Sequence, residues 1–465
     1  MGSLVDVDLL TALRAAVGPD HVLVDRDVTE SYRRDMMPLA PAGSPAAVVL
    51  PATTEEVQDV VRACGAAGVP IVPRGAGSGL SGAANAVDGC VVLALTRMDR
   101  IVEIDPDNRV AVVEPGVVNL DLRSAVEKHG LFYPPDPSSY DWCTIGGNLS
   151  TNAGGLCCVK YGVTTDSVLG LEVVLADGEV LRTGRRTVKG VAGYDLTRLF
   201  VGSEGTLGVI TRATLALRPL PQAPATVVAS FGSTGAAGAA VSRIVREGMV
   251  PSLLEIMDSV CVRAVERHLS TELGDGAGSA ALVIGQSDLG GAAGLAEVSR
   301  LEQVCLDAGA EFTHHTDDLA EGRLLLAARR AVLPALETLG SWLTDDVCVP
   351  RTRIAELIAG CAEIGEEVGL TVAVTGHAGD GNMHPTIVYD ASRADEAEAA
   401  RVAFDRILAL GLRLGGTVTG EHGVGKIKQD WLATEIGPVG LRAHRAIKNA
   451  LDPGGLFNPG SMFRG

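Results

Sequence analysis

Nine histidines occur in 465 residues, and three of them stand in two short segments, Gly376-His377-Ala378-Gly379-Asp380-Gly381-Asn382-Met383-His384 and Thr419-Gly420-Glu421-His422-Gly423. An imidazole offers a neutral nitrogen to a metal ion or a base to a proton. The strand-like runs Leu370–Thr375 and Thr386–Tyr389 flank Asp380-Gly381, a two-residue hairpin signal. With those two residues as the turn, 377 pairs with 384, and directly opposite side chains share a face about 5 Å apart. Two imidazoles then converge on one point, as a metal site needs. Glu421 supplies a carboxylate as third ligand and leaves a fourth position open, the arrangement of a catalytic metal. From extended backbone His422 points away from its neighbour and stands beside the metal as a base. The competing reading is a set of satisfied, partly buried histidines on a hairpin and a loop. Two facing histidines plus a Glu-His pair among glycines favour the metal site.

The elements that must position these residues fall into two sets. In the first, Val7–Val17 reads as an amphipathic helix and Ala46–Pro51 as a strand. A helix starts at Thr53, with Glu56 at the capping-box position and Gly68 as its stop. Val69–Val72, Val91–Leu95, Val102–Ile104 and Val110–Val113 read as strands, Asn119–His129 as a helix, and Gly208–Leu217 as a closing strand. The run Pro219-Leu220-Pro221-Gln222-Ala223-Pro224 marks a domain boundary. Beyond it, Ala225–Phe231 and Ala280–Gly285 are strands. Gly238–Glu247, Gly294–Ala308, Asp318–Leu339, Arg353–Val368 and Asp395–Leu414 are helices. The pattern predicts an α+β chain whose second part is an antiparallel sheet with helices on one face. The expected domains are 1–220, 225–415 and a C-terminal segment 416–465.

Glycine concentrates in three loops of the first part. Gly77-Ser78-Gly79-Leu80-Ser81-Gly82 follows a strand and matches a dinucleotide-binding pattern, with Asp99 about twenty residues on. A nicotinamide-type crossover fails, because Ala83–Gly89 is too short to hold the helix that must follow. Such a loop still binds a diphosphate through a run of backbone N–H groups. The second loop runs from Pro134 through Cys143-Thr144-Ile145-Gly146-Gly147 to Gly155, and the third from Gly193 through Gly202-Ser203-Glu204-Gly205 to Ile210. Three backbone-rich loops in one domain point to a large flat ligand with polar edges and a diphosphate.

Bulk properties narrow the partners. A net charge of −18 argues against nucleic acid and against anionic lipid. The longest apolar runs fall far short of the roughly 18 residues that span a bilayer. Met1–Asp6 has no basic segment leading into an apolar stretch, so no secretory leader is expected. Nine cysteines without a Cys-x-x-Cys pair argue against a disulfide scaffold, a zinc ribbon or a chain-borne iron–sulfur cluster. A reducing cytoplasm is the expected location.

Pro73–Ala83, Pro134–Gly155 and Lys189–Ile210 resemble the flavin-binding loops of the vanillyl-alcohol-oxidase-type FAD enzymes. His377–His384, Gly420–Lys428 and the tail Leu451–Gly460 resemble the branch with glycolate oxidase large subunits, D-lactate dehydrogenases and D-2-hydroxyglutarate dehydrogenases. The resemblance runs in order from about Ala46 to Met462. It implies a two-subdomain FAD-binding domain, a substrate (cap) domain, and a C-terminal segment returning to the FAD domain. By similarity, Arg74, Gly75, Ala76, Gly77, Ser78 and Gly79 wrap the FAD diphosphate with main-chain donors. Pro135, Asp136, Thr144, Gly146, Gly147, Asn152, Gly155, Glu204, Gly205 and Ile210 line the rest of the cofactor, and Asn458 comes back to the flavin. Where relatives with a histidyl–flavin link carry histidine, this chain has Ser78, so FAD is expected to be non-covalent, with Cys143 the one alternative attachment point.

The same resemblance matches His377, His384 and Glu421 to the ligands of a divalent metal, with zinc the expected ion, and His422 to the catalytic base. It matches Arg329 to the substrate-carboxylate anchor, with its neighbour Arg330 as the alternative. Oxidising a 2-hydroxy acid requires a proton off the hydroxyl and a hydride from C2, and a metal gripping hydroxyl and carboxylate assists both. Hydroxyglutarate dehydrogenases carry a threonine and a lysine downstream where this chain has Leu333 and Thr344. This departure leans toward a short D-2-hydroxy acid such as D-lactate or glycolate, with D-2-hydroxyglutarate the remaining alternative. It also implies an electron acceptor (a quinone, flavoprotein or cytochrome) or a separate iron–sulfur subunit, and a homodimer. A flavin-dependent alkyl transferase and a subunit inactive without its partner are the competing classes.

Overall fold

The computed structural model describes residues 7–273 and 279–464; residues 1–6, on which the expectation about a leader rests, lie outside them. By contacts the chain divides into two units. One comprises Met1–Gly154, Val163–Leu220 and Glu421–Gly465, and the other Gly155–Gly162 and Pro221–Gly420.

The first unit holds two principal sheets. In the smaller, Ile71–Arg74 and Ala47–Val49 both pair in parallel with Val91–Ala94. Its core is aliphatic, with Val49, Val57, Val61, Ile71, Val91 and Leu93 all fully buried. The helix Thr54–Ala67 covers this sheet. Thr53 Oγ1 accepts from Glu56 N at its start, and Gly68 at φ +65 ends it. The parallel neighbours Ile71–Arg74 and Val91–Ala94 are joined by the glycine-rich loop without an intervening helix, as the short spacing requires. The second sheet is antiparallel, in the order Ile101–Asp105, Val110–Val113, Val209–Ala216, Val168–Val174, Val180–Gly184. The pair Val168–Val174 and Val180–Gly184, around the turn at Asp177-Gly178, was not anticipated from sequence.

The second unit is built on an eight-stranded antiparallel sheet. Its spatial order is Ala310–Thr316, Ala225–Phe231, Ala281–Ser287, Leu253–Asp258, Thr371–His377, Asn382–Tyr389 and Ser341–Thr344, with Val347–Cys348 added beside Asn382–Tyr389. Helices cover both faces, not the one expected. Residues of Ser259–Leu269, Leu319–Arg330 and Val332–Glu337 pack with Val228, Ile284, Leu253 and Met257. The opposite face meets Gly291–Asp307, whose Leu301 reaches Gly285, and Ile354–Val368, whose Gly365 sits against Val372. The predicted single helix Asp318–Leu339 is two, Leu319–Arg330 and Val332–Glu337, meeting at Ala331. No helix among the described residues is long and apolar enough to cross a membrane.

Candidate active site

Pairing registers put an unusual set of side chains on one sheet face. Met257 faces Leu282 and Thr375, Thr375 faces His384, His377 faces Asn382, and Thr386 faces Thr344. With two-residue alternation, Glu255, Thr375, His377, Asn382, His384, Thr386 and Thr344 all share that face. Glu255, Thr344, Thr375, His377, Asn382 and Thr386 are buried. A buried polar stripe of this kind costs stability unless its members satisfy one another, so it marks a site.

The histidine hairpin differs from its expected register. Its loop is the four residues 378–381, not Asp380-Gly381 alone, and His377 lies opposite Asn382 rather than His384. The longer loop is held by Val349 N donating to Gly381 O and by Arg351 Nε donating to Gly379 O at 2.6 Å. Gly381 sits at φ +91 with Val349 O too close for any Cβ. Because the slip is two residues, both histidines keep the same face. Their rings meet edge-on, 5.1 Å between centroids at 83°.

Behind this pair stand two buried carboxylates. Glu255 Oε1 lies 2.7 Å from His377 Nδ1, and Glu255 Oε2 accepts from Arg329 Nε, also at 2.7 Å. Glu255 is fully buried, Arg329 is buried with it, and Arg330 is exposed. Of the two candidate arginines, Arg329 is the one seen to reach the histidine cluster, through Glu255. Asp346 Oδ1 lies 3.8 Å from His384 Nδ1, while its Oδ2 accepts from Thr419 Oγ1 and Gly420 N. Thr344 Oγ1 is 3.1 Å from Thr386 Oγ1. Glu255 and Asp346 were both missed in the sequence. The available signal for Glu255 was a lone acid in the apolar run Leu253-Leu254-Glu255-Ile256-Met257.

Glu421 and His422 belong to the first unit and directly follow Gly420, where the second ends. Their side chains are mostly buried, with His422 Nε2 3.9 Å from Glu421 Oε1. The loop they open is fixed by Glu204, which accepts from Val424 N at 2.6 Å and Gly425 N at 2.7 Å. Burial pushes the Glu204 carboxyl up to about 7 against the pull of those two amides. Asn458 at φ +43 donates through Nδ2 to Glu204 O and Ala83 O. The tail thus returns to the loops of its own unit.

The expected flavin loops also converge within that unit. A Cβ on Gly75 would collide with Thr144 Oγ1, and Gly147 N lies 3.5 Å from the same point. Gly205 packs on Pro73, and Gly202 on Asn152, which caps the helix Ile145–Thr151 in the left-handed region. Gly146 leaves no space against Pro115. Thr144 Oγ1, Ser81 Oγ and Asn458 Oδ1 are buried without a hydrogen-bond partner among the described residues. A bare backbone cradle with unsatisfied hydroxyl and amide oxygens fits a polar ligand such as a dinucleotide. The Arg74 side chain turns back onto its own unit, donating to Arg34 O and lying 5.9 Å from the Tyr32 ring centre. Gly79 O accepts from Met36 N, while Ala76 and Ser78 are half-buried in the same loop. Pro135 O accepts from Asn119 Nδ2, and Asp136 is buried beside it in sequence. Ile210 buries its side chain in the core of the five-stranded sheet. Gly155, expected with these residues, falls in the second unit.

A parallel sheet carrying a helix-free glycine loop, a five-stranded companion and a separate antiparallel cap define a flavoprotein of two-domain type. Residues 45–184 match the family model of an FAD binding domain, and residues 220–462 that of the C-terminal domain of FAD linked oxidases. The chain is 41% identical over 420 residues to the glycolate oxidase subunit GlcD of Bacillus subtilis (strain 168), covering 90% of this chain and 89% of that one. It is 34% identical over 453 residues to the D-lactate dehydrogenase of Anaerostipes hadrus, covering 96% and 95%. Its fold matches that of p-cresol methylhydroxylase with substrate bound, at a TM-score of 0.81 and 22% identity over 98% of this chain and 96% of the other. The chain belongs to the FAD-linked oxidases, with the vanillyl-alcohol-oxidase-type fold, and is an FAD-dependent oxidoreductase.

Proposed function

We propose that this chain oxidises a short D-2-hydroxy acid, of the D-lactate or glycolate kind, to the 2-oxo acid. The observation that carries the reading is the buried network Arg329–Glu255–His377 beside His384. FAD held non-covalently by the loops around Gly75, Thr144, Gly147 and Glu204 would supply the acceptor for the hydride that leaves the substrate C2. A divalent metal, for which zinc suits two imidazoles and a carboxylate, would supply the acidification of the substrate hydroxyl. His377 and His384 are the imidazole ligands, and Glu421, one residue past the Gly420 amide that Asp346 holds, is the third. Arg329 spends its Nε on Glu255 and presents its terminal nitrogens to the substrate carboxylate. His422 takes the hydroxyl proton as a neutral imidazole.

Ser78 offers no flavin linkage. The Cys143 thiol is buried beside Asn148, and burial pushes it up, away from the reactive thiolate. Both support a non-covalent cofactor. Nine cysteines without a Cys-x-x-Cys pair favour a reducing compartment. Relatives named as subunits favour a partner protein that carries electrons away.

Anaerobic flavin bleaching against D- and L-2-hydroxy acids, with and without added zinc, tests the whole reading. Bleaching by D-lactate or glycolate that a chelator abolishes is the expected result. His422→Ala is expected to retain FAD and lose bleaching by at least about a thousandfold. Full bleaching in that variant removes His422 as the base.

A further inference from the structure

Glu255 enters no step above, yet it is fully buried at the cluster and touches both of its arms. One carboxylate oxygen is 2.7 Å from His377 Nδ1 and the other 2.7 Å from Arg329 Nε. It reaches this place because its strand, Leu253–Asp258, lies beside Thr371–His377 in the sheet, with Ile256 opposite Gly376 and Met257 opposite Thr375. Arg329 comes from the last turn of the helix Leu319–Arg330, which packs on the same face.

A carboxylate in this position does two things at once. With Nδ1–H donated to Glu255, the His377 tautomer is fixed and Nε2 becomes the ligating nitrogen, more basic for the charge behind it. On the other side, a guanidinium anchored through Nε cannot swivel about its long stem, so its remaining fork is aimed in advance. A neutral amide could not accept from both partners, since one of its two ends is itself a donor.

We propose that Glu255 is a positioning residue that couples the metal ligand His377 to the carboxylate anchor Arg329. Metal and substrate carboxylate are then gripped by one rigid unit, and a change in Glu255 weakens both together. This rests on the metal-assisted reading above, and the controls separate the two.

The test uses the FAD-loaded full chain, with zinc affinity read by competition with a chromophoric chelator. Carboxylate affinity is read from the flavin spectral shift on adding oxalate, a two-carbon acid with no C–H bond to oxidise, at saturating zinc. Glu255→Gln is expected to keep FAD at full stoichiometry and to lower zinc affinity about ten- to a hundredfold. Oxalate affinity should fall by about tenfold or more in the same variant. Loss of zinc affinity with oxalate binding intact overturns the coupling, and no change in either overturns the role altogether. Should Glu255→Gln fail to fold, Arg329→Met carries the same question. It removes no metal ligand, yet is expected to change zinc affinity by about threefold or more through Glu255, and an unchanged value sinks the proposal. His377→Ala is the control for the underlying reading: zinc bound as tightly as in the parent chain means the metal is not held there, whatever Glu255 does.

Discussion

Glu204 and Glu255 are both buried carboxylates, one in each unit, and they are held in different ways. The Glu204 carboxylate is held chiefly by the main chain, through amide donors from Val424 and Gly425, with the Ser461 hydroxyl a longer third at 3.4 Å and Asn458 Nδ2 donating to the Glu204 carbonyl. Glu255 is held by two side chains, an arginine and a histidine. The first arrangement requires whole segments to converge, which is why glycines crowd there, and it suits a large cofactor read mostly through its backbone-facing edge. The second hangs on three residues and suits a small acid and an ion. Single side-chain changes should therefore be mild in the first unit unless they fill space, and severe in the second.

The widest contrast is between filling the cradle and emptying the grip. Gly75→Val places branched carbon where Thr144 Oγ1 and Gly147 already stand, without asking the backbone for a new conformation. It is expected to purify colourless, with FAD affinity down by about a hundredfold or more. His384→Ala should stay yellow, with FAD at full stoichiometry, and lose turnover by about a thousandfold. A yellow Gly75→Val protein, or a colourless His384→Ala protein, breaks the division of labour.

A smaller effect separates the two carboxylates by pH. Burial raises the Glu204 carboxyl from the ordinary 4.5 to about 7 in the folded chain. An acid with a raised folded value contributes stability that is fully present below 4.5 and is lost as pH rises toward 7. Glu204→Gln cannot titrate. The unfolding free energy of the parent chain relative to this variant should therefore fall between those two pH values by up to about 3 kcal/mol and stay level above 7, as denaturant titrations across that range would show. A relative stability that is flat across that window would mean that the two amides offset the burial of Glu204 in full.

How much of this could be read in the sequence follows the same division. His377 and His384 stood out because histidine is rare in this chain and their hairpin is local, whereas Arg329 was reached only through the resemblance. The hairpin loop length was not, because Arg351 and Val349, far along the chain, decide it; the two faces survived the error because a two-residue slip preserves parity. The strand Leu253–Asp258 and its Glu255 were passed over because an apolar run has no period to show which residue faces a partner, and the lone acid within it was the one signal. The helix Gln429–Leu451 was missed for a different reason: Gly437 at φ +67 and Pro438 interrupt it, and no side chain in it is buried, so neither propensity nor pattern marks it. The glycine loops gave the kind of ligand but not their mutual packing, which depends on contacts such as Pro73 with Gly205.

The smallest expected effect is the one that asks whether the cradle's side chains matter at all. Thr144 Oγ1 is buried and has no hydrogen-bond partner among the described residues. A buried hydroxyl left unpaired costs about 1–3 kcal/mol, so in the FAD-free protein Thr144→Val, which has nearly the same shape, should be stabilising. In the loaded protein the hydroxyl has a partner to lose, and the same substitution should weaken FAD binding about five- to tenfold. Opposite signs in the two states are the signature of a group kept unsatisfied for its ligand. If Thr144→Val raises apo stability and leaves FAD affinity unchanged, the side chain is a packing element only, and the first unit holds its cofactor by main chain and shape alone.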